Sequence, residues 1–164
     1  MGDTRVVAID GATKITGMAL AVNGDLKDYG KIDLSSNTDS TDERLLLMGK
    51  KILQALNIWK PDIIYMEEPQ GHGRNIKVSG MIHELIGFAK AWAVEHEAFI
   101  ETISPSEWRK FLNFKQGGSV KRTELKQQSM DYVQDMFGLN VTDDVSDAIC
   151  ILCAFIQKYE EENE

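Results

Sequence analysis

Two apolar segments of this chain each end in a carboxylate, and this pattern limits the possible folds more than any other feature. Residues 5–10 (RVVAID) and 62–67 (DIIYME) are short apolar runs of the kind that form buried strands. A helical segment separates them, and a strand–helix–strand crossover places its two strands parallel. Because the carboxyl ends of parallel strands share the edge of a sheet where ligands bind, Asp10 and Glu67 are expected to lie together there.

Signals along the rest of the chain predict the remaining elements. Asn23-Gly24 is a strong hairpin turn signal, which indicates an antiparallel meander in the first third of the chain. Further strands are predicted at residues 17–22, 26–34 and 98–103, and helices at residues 41–59 and 78–96, after Ser104, before Gly138 and from about Thr142. The expected fold class is α/β, with a mixed five-stranded sheet of three antiparallel strands followed by two parallel ones, flanked by helices.

Composition and chain organisation favour one ordinary globular domain. The chain has 164 residues, of which 43% are hydrophobic and 27% charged, and no repeat or linker divides it. We expect a single domain over residues 1–164 with a frayed acidic tail at about 160–164. The start of the chain lacks signal-peptide character and no apolar run is long enough to span a membrane, so a cytoplasmic protein without a membrane partner is expected.

The charge distribution indicates a phosphate-binding face in spite of an acidic average. The formal net charge is -8, which taken alone argues against a nucleic-acid partner. Between Trp108 and Gln128, however, the chain carries one acid, Glu124, and six basic residues: Arg109, Lys110, Lys115, Lys121, Arg122 and Lys126. This local excess of positive charge predicts binding to a polyanion.

Four carboxylates are candidates for a metal site. Asp144 and Asp147 are spaced to share one face of the last helix, where acids alone are commonly explained by the helix dipole. If they meet Asp10 and Glu67, the four like charges would be costly unless a cation is bound. Oxygen ligands favour Mg²⁺ or Mn²⁺ over zinc, and two such ions about 4 Å apart suit phosphodiester hydrolysis.

Three segments resemble one family over nearly the whole chain. Residues 9–17 (IDGATKITG), 64–68 (IYMEE) and 144–148 (DVSDA) are similar in order and spacing to RuvC-type Holliday junction resolvases of the ribonuclease H superfamily. The resemblance implies a ribonuclease H-like sheet and catalytic metal ligands at Asp10, Glu67, Asp144 and Asp147. It also implies a Mg²⁺-dependent endonuclease, with Mn²⁺ as a substitute, that acts as a homodimer. Such an enzyme nicks four-way DNA junctions symmetrically and leaves 5′-phosphate ends.

The resemblance extends to the DNA contacts. Residues 118–122 (GSVKR) are similar to the family's basic helix start near the scissile phosphate, so Lys121 or Arg122 is expected to neutralise developing charge. The full set of expected DNA-binding residues is Lys14, Arg74, Lys77, Arg109, Lys110, Lys115, Ser119, Lys121 and Arg122. The loop after Glu67 lacks the aromatic residue of sequence-selective members, which predicts relaxed sequence preference, cutting of other branched DNA and a phage-type enzyme.

Two alternative functions stay open, and one interface is expected. A ribonuclease acting on RNA–DNA hybrids shares the fold but places its essential Glu on the first helix, where this chain offers only Asp42 and Glu43. A non-catalytic branched-DNA binding module is the other alternative. The helix at 78–96 carries more apolar residues than one core-facing stripe needs, so it is the expected dimer interface, with Phe88 as an outward position.

Overall fold

Residues 2–70 and 75–164 are described in the computed structural model of the protein, and they form five strands and five helices. The strands are β1 (Arg5–Asp10), β2 (Ile15–Val22), β3 (Asp25–Asp33), β4 (Ile63–Glu67) and β5 (Phe99–Ile103). The helices are α1 (Thr41–Trp59), α2 (Ile76–Glu95), α3 (Pro105–Phe111), α4 (Arg122–Phe137) and α5 (Asp143–Glu162).

The strands form one mixed sheet in the order β3-β2-β1-β4-β5. β1, β2 and β3 pair antiparallel, whereas β4 is parallel to β1 and β5 is parallel to β4. The expected fold class is confirmed. Element ends differ from expectation by a few residues. For example, α2 begins before residue 78 because the Asn75 side chain accepts a hydrogen bond from the backbone N–H of Val78 at 3.2 Å and caps the helix.

Local capping chemistry explains why α1 and α3 begin where the sequence indicates. Ser40 and Glu43 form a capping box at the start of α1, which has the predicted bounds. The helix ends at Lys60, whose positive φ of 47° leads into Pro61. Ser104 and Glu107 form a second capping box at the start of α3, with Pro105 in the first helical turn.

Helices cover both faces of the sheet. On one face α1 and α2 pack over Val7, Ile9, Met18, Ile64 and Met66. On the other face α3, α4 and α5 pack over Ala8, Ala19, Ala21 and Tyr65. Because strand side chains alternate between faces, Asp10 follows Ala8, and Glu67 follows Tyr65, toward the side of α5.

Phe88 does not have the outward position expected from the sequence. Its side chain is only partly exposed, and a Cβ atom added at Gly49 of α1 would lie 2.5 Å from its ring. The missing side chain at Gly49 therefore makes room for Phe88 between α1 and α2. Sequence periodicity could not show this, because it does not reveal which side of α2 a second helix covers.

Two further expectations concern the ends and environment of the chain. No helix in the described ranges is both long enough and apolar enough to cross a membrane. α5 continues through Glu162, so the first part of the acidic tail forms the end of this helix with exposed side chains. The single domain and the frayed tail stay predictions.

Candidate active site at the carboxyl edge of the sheet

Asp10 and Glu67 occupy neighbouring positions at the carboxyl edge of the sheet. β1 and β4 are parallel, and Ile9 lies beside Met66 in their register, so the two acids follow as the next residues of adjacent strands. Both side chains are partly buried. The parallel register thus brings together two carboxylates from distant parts of the sequence, and α5 covers the same face.

A glycine in β2 lets α5 deliver its acids to this edge. Gly17 pairs with Asp10 across the antiparallel ladder. A Cβ atom at Gly17 would lie 2.0 Å from the backbone oxygen of Asp144 and 3.3 Å from the Cβ of Ala148. The first turn of α5 therefore rests directly on β2, an approach that any larger residue would prevent. As a result, the start of α5 lies beside Asp10.

A buried hydroxyl organises the turn that follows Asp10. The Thr16 hydroxyl accepts a hydrogen bond from the backbone N–H of Ala12 at 3.1 Å and donates one to the Ala12 carbonyl at 2.9 Å. Thr16 is fully buried, so this pair of bonds also satisfies its polar group. The turn between β1 and β2 is closed by these contacts, and Lys14 is held exposed at its tip.

Burial and mutual repulsion disfavour ionisation of the two strand-end acids. Burial raises the pKa of Asp10 well above its ordinary range, and the charges of Glu67, Asp147 and Asp144 raise it further. Burial also raises the pKa of Glu67 to about 7, with a further contribution from Asp147. The structure therefore holds two acids whose negative charge lacks full compensation.

The acids of α5 differ in their surroundings. Burial raises the pKa of Asp147 to about 6, while the Ser129 hydroxyl and Arg109 oppose this shift. Burial and the charge of Asp143 raise the pKa of Asp144, whereas the charges of Lys126 and Lys31 lower it. Asp147 therefore belongs to the buried part of the cluster, together with Asp10 and Glu67, whereas Asp144 lies toward its more polar margin.

Two residues of α3 take part in the site. The indole N–H of Trp108 donates a 2.6 Å hydrogen bond to Oε2 of Glu67. Arg109 lowers the pKa values of Asp10, Glu67 and Asp147, and its guanidinium lies 5.0 Å from the centroid of the Trp108 ring. The sequence marked Arg109 only as a DNA contact and did not mark Trp108. The strong helix start at Ser104 was the one signal that α3 is a fixed element.

Contacts across the edge of the site also involve lysines that the sequence did not link to particular acids. Lys126 of α4 forms an ion pair with Asp143, and this contact is the main cause that lowers the pKa of Asp143. Lys31 of β3 lies opposite Gly17 and acts on Asp144 from that side. Both contacts depend on how the start of α5 sits on the sheet, which local sequence patterns do not reveal.

The expected DNA-binding residues fall into distinct places. The exposed ones are Lys14, Lys77, Lys110, Lys115, Ser119, Lys121 and Arg122, whereas Arg109 is partly buried among the acids. Lys121 and Arg122 mark the start of α4, where the Lys121 backbone N–H donates to Glu124 at 3.1 Å. Lys110 instead lines a pocket with Gln157 and Glu161 near the end of α5. Arg74 lies outside the described residues.

The donor chemistry of the cluster fits a hard divalent cation. All four side chains supply carboxylate oxygens, the ligands that hard divalent cations prefer. Burial raises the pKa values of Asp10, Glu67 and Asp147, and the charges of neighbouring acids raise them further. In the ranges 2–70 and 75–164, no three acidic, histidine or cysteine side chains form a ready-made metal cage.

Comparison with solved structures gives a consistent result across nearly the whole chain. RuvC from Thermus thermophilus, in complex with a Holliday junction substrate, superposes with a TM-score of 0.72 at 18% identity, covering 96% of each chain. The fold is that of RuvC-type resolvases. The yeast mitochondrial Holliday junction resolvase has a TM-score of 0.65 at 16% identity, covering 98% of this chain and 80% of that one.

A viral structure shares the same architecture. The fowlpox virus resolvase, in complex with Holliday junction DNA, has a TM-score of 0.62 at 14% identity, covering 95% of this chain and 99% of that one. No protein-family model and no curated protein sequence matches this chain. The similarity of this chain to known proteins is thus detected in its tertiary structure. The resemblance of three short sequence segments had indicated the same fold.

Proposed function

We propose that this protein is a metal-dependent, structure-selective endonuclease that resolves four-way DNA junctions, and cuts other branched DNA, by paired symmetrical nicks. The observation that carries the proposal is the cluster of Asp10, Glu67, Asp144 and Asp147 at the carboxyl edge of a resolvase-type sheet. Such a concentration of partly buried acids is costly to the fold and typical of a site that acts on phosphates through cations. Resolvases of the same fold have been solved with Holliday junction DNA, which supports the substrate class.

In this proposal the four carboxylates hold Mg²⁺, with Mn²⁺ as a substitute, in two positions. When bound, the ions would activate the attacking water and stabilise the leaving oxygen of the phosphodiester. The residues of the chain have separate tasks. Glu67 and Asp10 project from rigid strand ends, Asp147 and Asp144 project from α5, and Arg109 limits the repulsion among them while the site is empty.

The basic residues around the cluster would hold the DNA backbone. Lys14 is exposed on the turn after Asp10, and Lys121 and Arg122 are exposed at the start of α4. Ser119 precedes that helix, so its backbone N–H could also bind a phosphate. We assign to Lys121 or Arg122 the neutralisation of charge that develops at the scissile phosphate. Because these contacts are electrostatic, junction affinity should fall as salt is raised.

Symmetrical cutting requires two sites related by a two-fold axis, so the proposal includes a homodimer. Since Phe88 packs against α1, the interface is assigned to the first turns of α2, where the Val78 side chain is exposed. Met81 and Ile82, beside it, pack against the core and are only partly exposed. Val78→Asp should give monomers in sedimentation velocity that nick without paired resolution. Val94→Asp, at the exposed far end of the same helix, is the matched control and should stay dimeric.

A direct test uses a synthetic four-way junction, an RNA–DNA hybrid and plain duplex DNA, each with and without Mg²⁺. We expect paired nicks in the junction only with Mg²⁺, and loss of cutting with retained binding in Asp10→Asn. Asp42→Asn is the matched control, because Asp42 is an exposed acid on α1, which covers the opposite face of the sheet. Selective cutting of the hybrid would favour the ribonuclease alternative. Full activity of Asp10→Asn would overturn the assignment of the site.

A further inference from the structure

Trp108 forms a hydrogen bond with Glu67 that has no assigned role in the proposed function. Its indole N–H donates to Oε2 of Glu67 at 2.6 Å, and its side chain is 0% exposed. We propose that Trp108 is a positioning residue that fixes the rotamer of Glu67, engaging Oε2 and leaving Oε1 to meet a divalent cation. This inference rests on the proposed function, because it assumes that Glu67 is a metal ligand.

The backbone that carries Glu67 is already fixed without Trp108. Glu67 pairs with Ile103 in the register of β4 and β5, and the next N–H, that of Glu68, donates to the Ile103 carbonyl at 2.8 Å. The Glu68 side chain accepts a further bond from the Thr102 hydroxyl at 2.9 Å. What remains variable is rotation about the side-chain bonds of Glu67, and the Trp108 hydrogen bond restricts that rotation.

Trp108 is itself held rigidly enough to act as a reference point. It lies in α3, whose start is set by Pro105 and the Ser104 capping box, and it belongs to the core under α5. The ring of Phe114 packs edge-on against it, with centroids 5.8 Å apart and planes at 75°. A donor placed by this packing restricts the carboxylate far more than a solvent-exposed side chain could.

Hydrogen-bond partners that orient metal ligands commonly change metal affinity or activity by about 10- to 100-fold when removed. A bond from N–H to a carboxylate is also among the stronger kinds in proteins, because the acceptor carries charge. The functional contribution of Trp108 should therefore appear in metal binding, over and above its contribution to packing.

The chain provides a matched control in a second buried tryptophan. Trp92 is 4% exposed, and its indole N–H donates to Oδ1 of Asn57 at 2.7 Å. This pair links α1 to α2 on the opposite face of the sheet, away from the acids. Trp108→Phe and Trp92→Phe thus each remove one indole donor from a well-packed site, and only the first affects the acid cluster.

The experiment measures Mn²⁺ binding to the full-length protein without DNA by isothermal titration calorimetry, together with thermal unfolding. Trp108→Phe should weaken Mn²⁺ affinity about 10- to 100-fold and raise the Mg²⁺ concentration needed for half-maximal junction cleavage. Trp92→Phe should lower the midpoint of unfolding by a similar amount while leaving Mn²⁺ affinity unchanged. If Trp108→Phe does not fold, benzothienylalanine at position 108 removes the N–H and keeps the ring shape.

A spectroscopic measurement tests the contact itself. Each indole N–H gives a separate proton–nitrogen NMR signal, and the signal of Trp108 should shift in Glu67→Gln and on addition of Mg²⁺, whereas that of Trp92 should stay in place. Unchanged Mn²⁺ affinity in Trp108→Phe, with wild-type protein that binds Mn²⁺ and cleaves junctions, would overturn the inference and leave the proposed function intact. Wild-type protein that neither binds Mn²⁺ nor cleaves would overturn the proposed function and the inference with it.

Discussion

Along β2, the side chains on the two faces of the sheet differ in size. Met18 and Leu20 point toward α1 and α2, whereas Ala19 and Ala21 point toward α5. Gly17 lies on the same face as Ala19 and Ala21, at the edge of the sheet where the backbone of α5 approaches the strand closely. Large apolar residues keep a helix at a distance, while small ones let its backbone come near the strand.

The difference shows how the fold accommodates an acidic cluster. On the side of α5, close approach brings Asp144 and Asp147 to the strand-end acids, at the cost of burying like charges. On the side of α1 and α2, the core is built from apolar residues such as Ile52 and Leu56, which are fully buried. The face toward α5 thus combines an apolar core with the acid cluster, whereas the face toward α1 and α2 carries an apolar core without it.

The largest expected effect comes from filling the close approach at Gly17. Gly17→Ala places a methyl group 2.0 Å from a backbone oxygen of α5, so we expect a loss of about 3 kcal/mol or more in the free energy of unfolding. Junction cleavage should be lost as well. Gly30→Ala, in β3 with no atom within 4 Å of the added Cβ, is the control and should stay near wild type in denaturant titrations and cleavage assays. Equal behaviour of the two variants would remove the physical basis of the comparison.

A cavity on the opposite face should separate stability from chemistry. Ile52→Ala removes a fully buried side chain under α1 and should cost about 2–5 kcal/mol in the free energy of unfolding. The cleavage rate per folded molecule should stay near the wild-type value, because α1 covers the face of the sheet opposite the acids. Denaturant titration combined with single-turnover cleavage checks both parts. A large fall in the rate of the folded fraction would show that the two faces are coupled.

The raised carboxylate pKa values should make the free energy of unfolding fall as pH increases. The pKa of Glu67 rises from an ordinary 4.5 to about 7 on folding, so the unfolded chain releases this proton at lower pH than the folded protein. The contribution of Glu67 therefore lowers the free energy of unfolding as pH increases from about 4.5 to about 7. Glu67→Gln should remove that contribution in metal-free denaturation series. A wild-type profile parallel to that of the variant would contradict this expectation.

The smallest expected effect concerns the ion pair at the margin of the cluster. Lys126 and Asp143 are both partly exposed, so Lys126→Ala should change the free energy of unfolding by about 0.2–1 kcal/mol. The change should shrink at high salt, because the pair is open to solvent. Denaturant titrations at low and high salt measure both effects. A loss of several kcal/mol would place this pair among the main supports of α5.

The amino-acid sequence alone determined the elements and the sheet. Apolar runs, a hairpin turn and capping residues mark β1, β4, α1 and α3, because these signals act between residues close in the chain. The meeting of Asp10 and Glu67 was also predictable, since a parallel crossover brings strand ends to one edge.

Only the tertiary structure decided which residues surround those acids. Three contacts join elements far apart in the chain: the bond from Trp108 to Glu67, the approach of Asp144 to Gly17 and the packing of Phe88 over Gly49. Such contacts depend on which face of a helix meets the sheet and at what distance. Periodicity reveals that a helix has an apolar side, but side-chain volumes on both partners determine where and how closely that side packs.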